Sequence, residues 1–192
     1  MRKKLLVILM TMLLLCGCEK KTDASMQQAL DFRSALMAAG GCTFSADFTA
    51  DYGDEIVRFS ADCACGKDGV TMTVTAPETL RGICAAVDDA DARVIFDETE
   101  IALDLMAGRL APLSAPYLLY AAWTEDYLQF TGREDGQLRI TVLHGYNDEE
   151  LTVDTWLGAE KIPLRSEIAA DGETLIFAEI TAFQFGTAES VS

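Results

Sequence analysis

From Cys42 to Ala76 the chain alternates apolar and polar residues with a period of two, and this restricts it to half-buried sheet. Cys42, Phe44, Ala46, Phe48, Ala50 and Tyr52 fall on one side, and Thr43, Ser45, Asp47, Thr49 and Asp51 on the other. Gly53-Asp54 turns the chain. Val57, Phe59, Ala61, Cys63 and Cys65 then form an apolar face against Arg58, Ser60 and Asp62. A second turn at Gly66-Lys67-Asp68-Gly69 leads to Val70, Met72, Val74 and Ala76. Strands with one apolar and one wet face belong to antiparallel hairpins, since parallel strands are covered on both faces.

The alternation continues less cleanly at 83–87, 92–96 and 101–105, and five further strands are expected near 127–132, 137–144, 149–157, 163–169 and 174–184. Two stretches depart from it. Ser25 and Gln28 fit a capping box, and Met26, Ala29, Leu30, Phe32, Leu36 and Met37 give an apolar stripe that Gly40-Gly41 ends. Ser114 and Pro116 mark a second helix start, and the segment from Tyr117 to Trp123 is apolar nearly all round. The expected fold class is α+β: a curved antiparallel sheet of about eleven strands, closed by helices at 25–39 and 114–124. A sheet of that size curls, and its apolar face needs cover that only these helices can supply.

The N-terminus fixes where such a domain works. Arg2, Lys3 and Lys4 precede an uncharged apolar run from Leu5 to Leu15. That run is about half of the ~20 residues a helix needs to cross a bilayer, so it reads as an export signal. The ending Leu15-Cys16-Gly17-Cys18 resembles a lipobox, which implies diacylglycerol on Cys18 and a mature chain starting there. The expected organisation is a lipoprotein signal peptide at 1–17, a tether at 18–24, one domain at 25–186 and a tail at 187–192. The location expected is the outer face of the cell membrane, lipid-anchored. Loss of the signal removes three basic residues and takes the formal charge from −16 to −19. A surface this acidic repels nucleic acid and anionic lipid, so the acyl chains must supply the membrane affinity.

The order of elements resembles the LolA/LolB-like lipoprotein carrier superfamily. Phe44 to Phe48 after the first helix, the turn Pro77-Glu78-Thr79-Leu80-Arg81-Gly82, and Ile162-Pro163-Leu164-Arg165-Ser166-Glu167-Ile168 followed by Asp171-Gly172 carry the resemblance. It implies a half-barrel closed by helices over a hydrophobic cavity that takes acyl chains of lipoproteins or lipids. The candidate cavity walls are Phe44, Phe48, Phe59, Met72, Val74, Leu118 and Trp123, residues that would equally make a filled core. By the same resemblance Leu80 is a candidate apolar tip for membrane contact, although Glu78 and Arg81 flank it and it is as readily packed under its loop. The inward arginine that helps hold the carriers' lid has no evident counterpart, because Arg58 falls on a polar face. The anchor makes the chain more like the acceptor, or like lipoproteins of clostridia-like bacteria, than like the soluble carrier.

The remaining chemistry is sparse. A two-residue turn at Gly53-Asp54 pairs Tyr52 with Glu55 and so places Cys42 opposite Cys65, a candidate disulfide in an exported chain; a register shift of two would place it opposite Cys63. Cys84 points to the other face and reads as a free thiol. The pair Cys63 and Cys65 lacks a histidine partner for zinc. His144 is the only histidine and has no serine or cysteine motif beside it. Asp88-Asp89-Ala90-Asp91 and Asn147-Asp148-Glu149-Glu150 lack EF-hand spacing and read as solvated loops. No enzyme, metal or cofactor is expected. Two functions follow: an anchored module binding an apolar ligand, or a cell-envelope interaction or regulatory lipoprotein, like the germination lipoproteins that resemble this family, with a packed interior and an acidic docking face. The partners expected are the membrane, an acyl chain or lipoprotein, or an envelope protein.

Overall fold

The structure, a computed structural model, describes residues 24–87, 92–96, 99–102, 111–145 and 150–187. The signal segment, Cys18, Asp88 to Asp91 and Asn147 to Glu149 lie outside the described residues. Helix α1 runs Ala24–Ala38 and helix α2 runs Ala115–Thr124, after a 3-10 turn at Pro112–Ser114. Eleven strands form one antiparallel sheet: β1 Gly41–Asp51, β2 Ile56–Gly66, β3 Gly69–Ala76, β4 Cys84–Val87, β5 Ala92–Phe96, β6 Thr99–Ala102, β7 Tyr127–Glu134, β8 Gln137–His144, β9 Leu151–Leu157, β10 Pro163–Ala170 and β11 Glu173–Phe185.

Their spatial order is β6-β5-β4-β3-β2-β1-β11-β10-β9-β8-β7. The first and last strands meet in the middle. The chain steps outward from β1 to one edge at β6, crosses to the opposite edge at β7, and steps back to β11 beside β1. Helix α2 lies in that connection and packs on one face of the sheet, against β2, β3, β8 and β9. This explains why α2 is apolar nearly all round: Ala115, Leu118, Leu119, Ala122 and Trp123 are all buried.

The alternation places its apolar residues on that covered face. Phe44, Phe48, Ala50, Phe59, Cys63, Met72 and Val74 from one half of the sheet join Ile140, Val153, Leu157, Ile168 and Ile176 from the other in one buried cluster. Register follows from the first turn. Tyr52 N–H donates to the Glu55 carbonyl at 3.0 Å, and with no bulge between β1 and β2 the pairing runs unbroken to Cys42 opposite Cys65. Gly41 begins β1 with φ +143°, where an added Cβ would sit 2.0 Å from the Cys65 carbonyl oxygen; the close approach of β1 to β2 needs glycine there.

Several expectations are corrected. Helix α1 already contains Ala24 and Ser25, so Ser25 is not its cap, and the Gln28 side chain instead accepts from Arg133 on β7 at 2.9 Å. Within α1 only Ala29, Phe32 and Leu36 are buried, while Leu30 and Met37 are 40% and 62% exposed. The sixth strand begins at Thr99, before the expected 101, and 103–105 lie outside the described residues. Trp156 is buried although it lies on the outer face: Arg139 and Arg165 stack over its ring at 5.3 and 4.1 Å, and its indole N–H donates to Glu134. Cation–π contact covers this ring on the outer face.

Candidate functional site

The concave side of the sheet and the two helices define the candidate site. Trp123, near the end of α2, is its hub. Its ring meets Phe32 of α1 edge-on at 6.3 Å, Phe44 of β1 at 5.3 Å and Phe183 of β11 at 5.9 Å. Its indole N–H donates to Thr155 Oγ1 at 3.0 Å, and Thr155 lies 2.9 Å from the Ser166 hydroxyl. All three polar groups are buried, and the chain of hydrogen bonds satisfies them. Thr155, Ser166, Ala178 and Phe48 stand in one row of register across β9, β10, β11 and β1. The row continues to Phe59, whose ring stacks on Phe48 at 5.0 Å.

The two helices are joined by Arg33, which sequence patterning missed. From α1, its Nη2 donates to the Ala122 carbonyl at 2.9 Å and its Nε to the Trp123 carbonyl at 3.2 Å. These belong to the last turn of α2, whose carbonyls lack helical partners and carry the negative end of the helix dipole. Burial draws the Arg33 pKa down and the nearby Asp126 carboxylate opposes that; an arginine stays charged throughout. Asp126 also pairs with His144 Nδ1 at 2.7 Å. The single histidine is thus a satisfied surface-edge group tying the start of β7 to the end of β8. Arg58, on the polar face of β2, is exposed.

Between the C-terminal half of α1, α2 and the β2–β3 turn lies a half-open cleft of about 260 Å³. Met37, Val70, Tyr117, Tyr120 and Ala121 give its apolar wall, and Lys67, Thr124 and Glu125 its polar rim. Glycines at 40, 66 and 69 keep the turn side low. Beneath Tyr120 lie Cys42 and Cys65; burial first, then these thiols and Glu125, pushes the Tyr120 hydroxyl pKa up. Phe44, Phe48, Phe59, Met72, Val74, Leu118 and Trp123 are buried and packed into one core. None of the seven lines the cleft itself.

Leu80 is half-buried in its loop. It packs back against the core, with Arg81 bridging Glu78 beside it at 2.9 Å. Cys42, Cys63, Cys65 and Cys84 are free thiols in the structure, so the cross-strand pair faces without a bond. Cys84 lies on the outer face, 3.5 Å from Thr73 Oγ1. Among the described residues no cluster of metal-ligating side chains occurs, and no helix is long and apolar enough to cross a membrane.

No family model matches this sequence, and no curated protein is significantly similar to it. Solved structures share the architecture at low identity. A domain named for outer-membrane lipoprotein sorting, from Vibrio parahaemolyticus, is 10% identical, with TM-score 0.52 over 86% of this chain and 93% of that one. A DUF1329 family protein from Desulfovibrio piger is 12% identical, with TM-score 0.50 over 88% and 94%. A LolA superfamily protein from Nitrosomonas europaea is 11% identical, with TM-score 0.48 over 84% and 94%. The chain has the LolA/LolB-like fold that its sequence resembles. At these identities the likeness is one of fold alone.

Proposed function

We propose that the mature chain is an envelope lipoprotein, anchored through Cys18, that takes an apolar ligand between its helices and sheet. The ligand class is an acyl chain of a lipoprotein or a membrane lipid. The observation that carries this is the half-open cleft of about 260 Å³ between α1, α2 and the β2–β3 turn, walled by Met37, Val70, Tyr117 and Tyr120. The fold supports it, as does the six-residue tether from Cys18 to the start of α1, at most ~20 Å of extended chain. Binding needs no chemical step: burial of apolar surface contributes roughly 25 cal/mol per Å². The polar rim of Lys67 and Glu125 leaves the ligand's head in water.

Met37 gives a direct test because it is exposed and its replacement leaves the core intact. Met37→Asp puts a carboxylate on the cleft wall and is expected to weaken uptake of a fluorescent fatty-acid probe about tenfold, some 1.4 kcal/mol. Ile56→Asp, also at an exposed position but at the β1–β2 turn, is expected to leave uptake unchanged. Equal uptake by all three proteins would place the ligand outside this cleft.

A second reading has its own support. Phe48 and Phe59 stack directly, the concave face is closely filled, and Asp47, Asp62 and Glu179 form an exposed acidic group on the convex face. In that reading the interior is structural and the acidic face docks an envelope protein. Such docking weakens steeply with salt, because exposed charges are screened beyond about 8–10 Å at physiological ionic strength.

A further inference from the structure

We propose that Cys42 and Cys65 are joined by a disulfide in the exported protein, and that Cys63 and Cys84 stay reduced. The inference concerns covalent maturation of the β1–β2 hairpin and is independent of the ligand reading, apart from sharing its premise of export.

Register selects the pair. The unbroken β1–β2 ladder puts Cys42 directly opposite Cys65, and Cys63 opposite Phe44. Residues directly opposite in an antiparallel ladder have Cα atoms about 4.5–5.5 Å apart, inside the range a disulfide spans. The two side chains share the concave face, and both are buried there. Cys63 also faces inward, but it stands two residues along from the position facing Cys42, toward Phe44 and Met72. Cys84 lies on the opposite face of the sheet, against Thr73 and the Gly82 carbonyl, out of reach of the other three.

Chemistry places the reaction early in the life of the chain. In the folded protein both thiols are buried under α2. Contact with Cys42, then burial, pushes the Cys65 pKa well up; burial, then Asp62 and Cys42, pushes Cys63 up. Thiolate is the reactive form, so folded thiols here are poor nucleophiles. The bond therefore forms while the hairpin is paired but not yet covered. One of the two cysteines, as thiolate, attacks a disulfide of an envelope thiol–disulfide oxidant and forms a mixed disulfide, releasing one oxidant thiol. The second cysteine, as thiolate, then displaces the other oxidant sulfur, which takes up a proton. One S–S bond forms in the hairpin and one breaks in the oxidant, which carries away two electrons and two protons. Once α2 packs over the pair, the same burial shields the bond from reductants.

The test uses the full chain, produced in a bacterium with an oxidising envelope and purified without reductant. It is unfolded in the presence of iodoacetamide and mapped by peptide mass. The expected result is alkylation at Cys63 and Cys84, with the peptides containing Cys42 and Cys65 linked and lighter by two hydrogens. Reductant added to the folded protein is expected to leave the link intact, and reductant with denaturant to break it. Cys63→Ala is expected to retain the link. Alkylation of all four cysteines in the unfolded chain, or linkage of Cys42 to Cys63, would overturn the proposal.

Discussion

Trp123→Ala is expected to destabilise the domain by about 3–5 kcal/mol, the range for removing a large buried aromatic side chain. Trp123 is 4% exposed and touches α1, β1 and β11 through Phe32, Phe44 and Phe183. Its loss opens a cavity where three elements meet. It also removes the donor to Thr155 in a buried hydrogen-bond chain, leaving Thr155 and Ser166 to satisfy each other. Trp156 remains as a fluorescence reporter, so urea unfolding reads the change directly as a lower midpoint at similar slope. A loss under about 1 kcal/mol would mean that the helices do not depend on this hub. Trp123→Phe keeps most of the ring but not the N–H, and is expected to recover more than half of the deficit.

Arg33→Met carries the second large effect. The substitution keeps an apolar stem but removes both donors to the last carbonyls of α2. A hydrogen bond from a charged group contributes about 1.5–3 kcal/mol, and these two share one half-buried guanidinium, so the expected loss is about 2–3 kcal/mol. The effect has a local signature. Amides at the end of α2 and in α1 are expected to exchange hydrogen faster by one to two orders of magnitude, while those in β10 and β11 change little. Arg33→Lys is expected to recover only part of the protection, because an ammonium lacks the planar fork that serves two carbonyls at once. Uniform loss of protection across the sheet would show that Arg33 supports the whole fold rather than joining the helices. If the proposed ligand enters between α1 and α2, Arg33→Met also speeds its uptake and release.

The strands were readable because their physics is local. Alternation marks each half-buried strand, and the two-residue turn at Gly53-Asp54 carries the register from Tyr52–Glu55 through to Cys42–Cys65. The apolar circumference of α2 likewise announced burial on more than one side. What depends on distant partners was not readable. Leu30 and Met37 look like core residues by helical spacing, yet only Ala29, Phe32 and Leu36 of α1 are buried, leaving Met37 to wall the cleft. Arg33 looks like an ordinary surface cation until α2, ninety residues later, brings its free carbonyls within reach. Trp156 sits on the polar side of β9 and is hidden only because Arg139 and Arg165 reach over it from neighbouring strands. The candidate cavity residues are buried in the core, and the cleft beside α1 and α2 lies toward the β2–β3 turn. That position is set by how α1 and α2 cross the sheet, which no single segment encodes.

The most direct test of a ligand between helices and sheet is native mass spectrometry of the exported protein, released from membranes without denaturant. The account predicts added mass, matching a fatty acid or phospholipid, that organic solvent removes, while the covalent diacylglyceryl group on Cys18 stays. It also predicts that Met37→Asp protein carries less of it. A mass explained by the lipidated chain alone, with no uptake of added fatty acid, would contradict the account and leave the concave face as a packed core.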